Sequence, residues 1–242
     1  MKLLLTSDWH LDWATAGYPR IADIDKAVVG LCRIARSEGV ELVAFLGDLA
    51  DPDSLRAHAA SAIAVRVAAE LWFGSGIATR WLVGNHDIIE DGSGCTTLES
   101  VKALSNAFPN TRPSGIAVYD AAIVDEFRGK KFLALPFVAR SHAYDPTVVV
   151  REAANAGHKV DAVFGHLTVE GIAPGSEVAD MPRGREVVLP IDEIRRHWPA
   201  ASVFNGHYHR GQSFGGVYVP GSLARLTFGE ENNRPGYLVA EV

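Results

Sequence analysis

Five short apolar runs in this chain each end in Asp, Asn or His, and this pattern constrains the fold more than any other feature. Each run has the length of a buried β-strand. In α/β proteins the carboxyl ends of parallel strands meet at one edge of the sheet, where ligands bind. The pattern therefore predicts an α/β fold in which five polar clusters gather at one edge. They are Asp8/His10, Asp48, Asn85/His86, His166 and His207/His209.

The first half of the chain alternates strands with helices. Residues 3–7, 42–46 and 77–83 are predicted strands, and a helix is predicted over 23–38 with Asp23 as its N-cap. The apolar residues of this helix recur at helical spacing and form one face: Ile24, Val28, Leu31 and Ala35. If the chain stays extended after the first strand, Asp8 and His10 share a face.

A second helix, predicted over residues 55–73, is apolar on nearly every side. Such a helix is either buried or covered by a partner. We expect a homodimer through this helix, because its apolar surface exceeds what one sheet face can cover. The alternative is a helix packed between two core layers. Gly74 and Gly76 are expected to end it.

The second half of the chain is richer in short strands. A meander of strands is predicted over 116–119, 121–127 and 131–137, with further strands at 162–164 and 201–204. The segments 212–214, 217–219 and 237–242 are expected to complete a second set of strands. Helices are predicted at 96–107, 145–156 and 191–197.

Length and composition limit the class of protein. A chain of 242 residues, 48% of them hydrophobic, can bury a large core, so we expect one domain over 1–242. The net charge of −6 argues against a protein that merely coats nucleic acid. Cys32 and Cys95 are the only cysteines, which indicates a reducing cytoplasm. The apolar start is too short for a signal peptide or a membrane span.

The residue types of the five clusters point to metal chemistry. Imidazole nitrogens with carboxylate and amide oxygens suit divalent manganese, iron, zinc or nickel. A carboxylate between two such sets can bridge two ions, and such pairs stabilise both oxygens of a phosphoryl displacement. A serine hydrolase would need a Gly-x-Ser-x-Gly motif, which Gly92-Ser93-Gly94 does not provide.

In sequence order, the motifs resemble those of the calcineurin-like metallophosphoesterases. They are Asp8-Trp9-His10, Gly47-Asp48, Gly84-Asn85-His86-Asp87, Gly165-His166 and Gly206-His207-Tyr208-His209. The resemblance implies a four-layer α-β-β-α sandwich with a dinuclear metal site at the strand ends. It also implies a metal-dependent hydrolase of phosphate esters.

Three longer stretches are similar to the SbcD-type DNA repair nuclease subunit: residues 47–51, residues 166–171 with 175–177, and residues 220–230. That resemblance implies exonuclease or endonuclease activity on DNA with two Mn²⁺ ions, and a possible SbcC-type ATPase partner. Mg²⁺, Zn²⁺, Fe²⁺ and Ni²⁺ are alternative metals. In SbcD-type proteins a DNA-capping domain and an ATPase-binding segment follow the nuclease core. Here residues 238–242 read as the last core strand, so we expect no capping domain, either in a compact form or in a truncated chain.

The resemblance also assigns roles to residues. The first ion is held by Asp8, His10, Asp48 and His209, and the second by Asp48, Asn85, His166 and His207. A hydroxide bridging the ions attacks phosphorus, His86 is the general acid, and Asp87 is its orienting partner. The alternative for His86 is a third ligand or a core histidine. Arg183, Arg185, Arg210 and Arg225 are candidate phosphate contacts, and the alternative is solvated surface or, for Arg225, an ion pair.

Two other functions stay open. A small-substrate phosphodiesterase or phosphatase of the cyclic-nucleotide type is favoured by the missing cap and the acidic net charge. A non-catalytic metal-binding module is the third reading, against which the intact His86 and the complete ligand set argue.

Overall fold

Two β-sheets lie between two layers of helices in the computed structural model, which describes residues 1–89, 91, 93–108, 115–138, 144–173, 175 and 187–242. The strands are β1 Lys2–Thr6, β2 Ala14–Thr15, β3 Tyr18–Pro19, β4 Leu42–Phe45, β5 Ala78–Leu82, β6 Ile116–Tyr119, β7 Ile123–Phe127, β8 Lys130–Leu135, β9 Ala162–Gly165, β10 Ser202–Asn205, β11 Gln212–Phe214, β12 Val217–Val219 and β13 Leu238–Glu241. The helices are α1 Ile21–Ser37, α2 Ala57–Ser75, α3 Glu99–Ala107, α4 Pro146–Asn155 and α5 Ile191–His197. Single 3₁₀ turns lie at Asn85–Asp87 and Phe228–Glu230.

Both sheets are built around parallel strands. The first has the order β13-β1-β4-β5-β6, in which only β13 is antiparallel to its neighbour. The second has the order β11-β12-β10-β9-β8-β7, with antiparallel pairs at its two edges. A parallel bridge between Ser7 and Ser222 joins the segments that follow β1 and β12. Loops after parallel strands of both sheets can therefore contribute to one site.

Alternation along the strands produces the four layers. Leu3 and Leu5 point into a core between the sheets that also contains Phe132 and Phe164, whose rings stack at 5.0 Å. Leu4 points the other way, into a core shared with α1, α2 and α3. The outer face of the second sheet packs on α4 and α5. The predicted α-β-β-α sandwich is confirmed.

Two strand assignments from the sequence are wrong. The segment 116–119 is not part of a meander, because β6 pairs in parallel with β5 in the first sheet. The segment 237–242 does not complete the second set, because β13 pairs with β1. In both cases the strand itself was predicted and its partner was not, since pairing depends on residues distant in sequence.

Two helix ends also differ from prediction. Helix α1 follows Arg20, which has no side-chain cap bond, and Asp23 lies in the first turn with its carboxylate 3.3 Å from the Arg20 Nε. Helix α2 continues through Gly74 and ends at Gly76, whose left-handed conformation (φ 67°) suits glycine. Asp145 does cap α4, accepting the Thr147 amide at 2.8 Å.

Helix α2 is covered on both flanks by neighbouring helices. On one side, Arg66 of α2 forms an ion pair with Asp25 of α1. On the other side, the ring centroid of Phe73 in α2 lies 5.0 Å from that of Phe108, the residue after α3. One face is buried in the core: Ala60, Ala64, Val67, Ala68 and Leu71. The homodimer through this helix stays a prediction. Among the described helices, none is both long and apolar enough to cross a bilayer.

Candidate metal centre

Two groups of buried side chains lie where the parallel strands end. Asp8, His10 and His209 form the first group, and Asp48, His166 and His207 form the second. Within each group one donor atom per residue lies within 4.8 Å of the others. Each group takes residues that follow strands of both sheets, so the centre spans the two sheets.

Asp48 lies between the two groups. Its Oδ2 is 3.2 Å from the His166 Nε2 and 3.7 Å from the His10 Nε2. The Asn85 Oδ1 is 3.1 Å from the same His166 nitrogen. All seven predicted ligands are therefore brought together, with Asp48 in the shared position that a bridging carboxylate requires.

Left-handed backbone places several of these side chains. The φ angles are 52° at Asp8, 41° at His10, 62° at Asp48 and 78° at His207. The chain therefore turns sharply at Asp8. It is not extended after β1, which is the condition under which Asp8 and His10 would share a face. Trp9 enters the core, with its ring 4.9 Å from Phe45. Such conformations cost about 1–3 kcal/mol each and concentrate at functional sites.

Two motif glycines are required by close approach. A Cβ on Gly47 would lie 2.3 Å from the His166 Nδ1, and φ is +99° at this position. A Cβ on Gly84 would lie 2.2 Å from the Asp48 Oδ1. The glycines thus let the loops after β4 and β5 meet around the ligands.

Hydrogen bonds fix the orientation of two histidines. The His166 Nδ1 lies against the Leu46 carbonyl, so it carries the proton and leaves Nε2 facing Asp48. The His209 Nδ1 donates to the Glu230 Oε1 at 2.8 Å, and the other Glu230 oxygen accepts the Leu226 amide at 2.7 Å. The sequence motifs assign no role to Glu230. Its available signal was that it is the only acidic residue of the segment 220–230.

Asp87 has a different role from the predicted one. Its carboxylate accepts hydrogen bonds from the amides of Asp48 (2.9 Å), Leu49 (2.9 Å) and Gly84 (2.8 Å) and from the Thr97 hydroxyl (2.6 Å). Within the described residues it has no hydrogen bond to the His86 ring. The prediction that Asp87 orients His86 is therefore wrong, and Asp87 instead joins the loops after β4 and β5.

Burial perturbs the acids and bases of the centre. It raises the pKa of Asp8 to about 6, and neither Asp8 carboxylate oxygen has a hydrogen-bond partner among the described residues. Burial, followed by the charge of Asp48, raises the pKa of Asp87 to about 6. A buried carboxylate with two unsatisfied oxygens is unfavourable unless a cation or donor is supplied. This feature of Asp8 fits a metal ligand.

The histidine pKa values separate within the second group. Burial opposes the charged form of His166, but its contact with Asp48 outweighs burial and raises the pKa to about 9. The same contact holds the pKa of Asp48 well below its usual range, against the effect of burial. Burial, and then the neighbouring His166, lowers the pKa of His207 to about 3. Because a ligand imidazole must be neutral, His166 would hold a metal ion in its neutral form, with the proton on Nδ1.

His86 differs from the four buried histidines of the two groups. It is half-buried, its ring centroid is 5.0 Å from that of His10, and its amide donates to the Asp48 Oδ1 at 2.9 Å. It therefore lies beside the ligands with an accessible side.

Burial also lowers the pKa of His10 well below its usual range, which favours a neutral ligand there.

The candidate phosphate-binding arginines divide into two pairs. Arg210 and Arg225 are exposed, and neither has an acidic partner in the described part of the chain. The Arg225 Nε donates to the Asn233 carbonyl at 2.9 Å, so the alternative of an ion pair at Arg225 is wrong for the described residues. Arg183 and Arg185 lie outside the described residues.

A family comparison decides the class of this centre. The family model Metallophos, calcineurin-like phosphoesterase, matches residues 1–211. The chain belongs to the calcineurin-like phosphoesterases. It is thus a metal-dependent hydrolase of phosphate esters, in a family whose centres hold two metal ions. The buried oxygens of Asp8 and the mixed N and O donors of both groups fit two such ions.

Three solved structures are similar to this chain. A dimetal phosphatase from Danio rerio aligns with a TM-score of 0.56 and 13% identity, covering 99% of this chain and 91% of that one. A protein from Thermus thermophilus aligns with a TM-score of 0.54 and 15% identity, covering 91% and 89%. An archaeal phosphodiesterase has a TM-score of 0.44 and 18% identity, covering 100% and 93%. The first two share the fold of this chain, and at these identities the likeness concerns the fold alone.

Proposed function

We propose that this chain is a phosphodiesterase acting on DNA, an SbcD-like nuclease with two metal ions. The observation that carries the proposal is the position of the segment 220–230, which is similar to the SbcD branch. Glu230 of this segment holds His209, and the turn that contains it borders the first ligand group. The segment that is similar to the SbcD branch therefore lies next to the metal centre and not on a remote surface.

The proposed ligand sets follow the two groups. Asp8, His10, Asp48 and His209 would hold one ion, and Asp48, Asn85, His166 and His207 the other. When bound, two divalent ions supply Lewis acidity for phosphoryl oxygens and lower the pKa of water towards about 7. The mixed imidazole and carboxylate donors suit Mn²⁺.

The residues of the chain contribute orientation and proton transfer. Asp87 holds the Asp48 backbone, Leu46 and Glu230 fix the ring orientations of His166 and His209, and the glycine loops keep the ligands close. His86, half-buried beside His10, donates a proton to the leaving oxygen. Arg210, directly after His209, contacts a phosphate of the strand. An SbcC-type ATPase partner, implied by the same resemblance, and a homodimer through the apolar helix α2 are further proposals.

The test is substrate preference after metal loading. Protein treated with chelator and then reloaded with Mn²⁺ should cleave single- or double-stranded oligonucleotides, and Asp48→Ala should lose both ions by elemental analysis. Arg210→Ala should weaken DNA binding and flatten its salt dependence, whereas Arg33→Ala, an exposed arginine on α1, should do neither. Faster hydrolysis of cyclic nucleotides than of either DNA would contradict the proposal and favour a small-substrate enzyme.

A further inference from the structure

Two strongly exposed aromatic side chains lie on segments beside the first ligand group. Tyr18 is 79% exposed on the β2–β3 hairpin, and Phe228 is 79% exposed at the start of its 3₁₀ turn. Single exposed apolar residues are common on proteins. Tyr18 and Phe228 are of interest only if they belong to one surface beside the metal centre.

Hydrogen bonds join the two segments. The Thr15 hydroxyl donates to the Leu226 carbonyl at 2.6 Å, and the Arg20 Nη1 donates to the Arg225 carbonyl at 3.0 Å. The same Arg20 nitrogen also donates to the Thr15 hydroxyl at 3.0 Å. The hairpin and the segment 225–230 are thus one continuous structure, which we call the aromatic rim: Tyr18, Arg225 and Phe228.

The aromatic rim is connected to the metal ligands at both ends. Trp13, at the base of the hairpin, has its ring centroid 6.0 Å from that of His10. On the other segment, Glu230 is buried against His209 while Phe228, two residues earlier in the same turn, faces solvent. The aromatic rim is therefore positioned by the elements that surround the first ligand group.

The hairpin that carries Tyr18 is conformationally restricted. Its two turn residues, Ala16 and Gly17, have φ angles of 50° and 82°, which suits the right-handed twist of a two-residue hairpin. The Arg20 N–H to Trp13 O bond of 2.9 Å closes the base. A hairpin backbone held in place in this way loses little conformational entropy when a ligand stacks on the side chain that it carries.

Exposed arginines lie in the aromatic rim and close to the first ligand group. Arg225 is exposed and has no acidic partner within the described ranges, and the exposed Arg210 follows His209. Exposed aromatic faces next to such arginines are the combination that binds single-stranded nucleic acid, through base stacking and phosphate contacts.

We infer that unpaired bases of the substrate strand stack on Tyr18 and Phe228 while Arg225 contacts its backbone. This inference rests on the proposed nuclease function and narrows its substrate to DNA with a single-stranded region. In an intact duplex the faces of the bases are already stacked on each other, so only an unpaired strand can use the aromatic rim.

The experiment compares Tyr18→Ser/Phe228→Ser with Ile123→Ser, which removes a 49% exposed apolar side chain from edge strand β7. All proteins carry His86→Ala during binding measurements so that the strand is not cut. Each stacked base is worth about 1–3 kcal/mol. In the double variant, the loss of each aromatic side chain should therefore lower the affinity for labelled oligothymidylate by about 5- to 150-fold. Affinity for a blunt duplex, and hydrolysis of a nitrophenyl phosphodiester with His86 intact, should not change.

The outcomes separate this inference from the function on which it rests. If the wild-type protein cleaves single strands but the double variant binds them as the wild type does, the stacking inference is wrong and the nuclease remains. If Ile123→Ser weakens binding equally, the effect is not specific to the aromatic rim and the inference also fails. If Mn²⁺-loaded wild type neither binds nor cleaves DNA, the proposed function fails first. A dimer that dissociates on Tyr18→Ser/Phe228→Ser would assign this surface to a second copy instead.

Discussion

The Asp87 carboxylate accepts the backbone amide of Asp48 at 2.9 Å, although 39 residues separate the two. The Asp87 carboxylate thus holds Asp48, the residue between the two ligand groups, by the Asp48 main chain. The Asp87 carboxylate also accepts hydrogen bonds from the amides of Leu49 and Gly84 and from the Thr97 hydroxyl. This relationship makes Asp87 a positioning residue.

Asp87→Asn should destabilise the fold and weaken metal binding. The new amide group would face two donors instead of accepting from them, and hydrogen bonds to a charged group contribute about 1.5–3 kcal/mol each. We expect a loss of about 3 kcal/mol in the free energy of unfolding by urea at pH 7.5. Thr97→Val, which removes one of the four bonds, should cost less. Equal stability of Asp87→Asn and wild type would contradict this role.

Glu230→Gln should lower Mn²⁺ affinity by about 10–100-fold, as is typical when the acceptor behind a metal-bound imidazole is altered. The physical reason is that Glu230 fixes the proton on the His209 Nδ1 and directs Nε2 to the centre. Isothermal titration measures the effect. Glu231→Gln, at the exposed neighbouring position, is the matched control and should bind metal normally. The hypothesis fails if both variants behave alike.

His86→Ala should retain two ions but lose turnover on DNA by about 10²–10⁴-fold, the usual contribution of general acid catalysis. A nitrophenolate leaving group needs less protonation, so hydrolysis of a nitrophenyl phosphodiester should fall less. His58→Ala, at an exposed position on α2, should leave both activities unchanged. Loss of an ion from His86→Ala, detected by elemental analysis, would show that His86 is a ligand.

Glu193 should make stability depend on pH at the acid end. The hydrogen bond from Arg151, opposed by burial and supported by His197, lowers its pKa from 4.5 to about 2. The folded state therefore binds the proton more weakly than the unfolded state. Its stabilising contribution is complete above pH 4.5 and is lost as the pH falls towards about 2.

Urea unfolding of Glu193→Gln and wild type at a series of pH values tests this dependence. The difference in stability between the two should be largest near neutral pH and should shrink below pH 4.5. Glu152→Gln, an exposed position on α4, should show no such trend. A constant difference between Glu193→Gln and wild type across the series would contradict the assignment.

What the sequence predicted depended on short-range information. Strand and helix positions follow from apolar periodicity, so Asp8, Asp48 and His166 could be placed at the carboxyl ends of strands from the sequence alone. That these strands belong to two sheets could not be predicted. Pairing of β13 with β1 could not, because it joins the two ends of the chain. The roles of Asp87 and Glu230 were missed for the same reason. Their partners lie 39 and 21 residues away, and a buried acid has no local pattern.

Because each ligand group takes residues from both sheets, ion binding and the interior between the sheets are thermodynamically linked. Opening that interior would separate His166 from Asp48 and so would require the ions to leave. At a hundredfold excess over its dissociation constant, a ligand adds about 2.7 kcal/mol to the cost of opening. Strands β4 and β9 lie on opposite sides of this interior. Their amide hydrogens should therefore exchange with solvent more slowly as the free metal concentration rises.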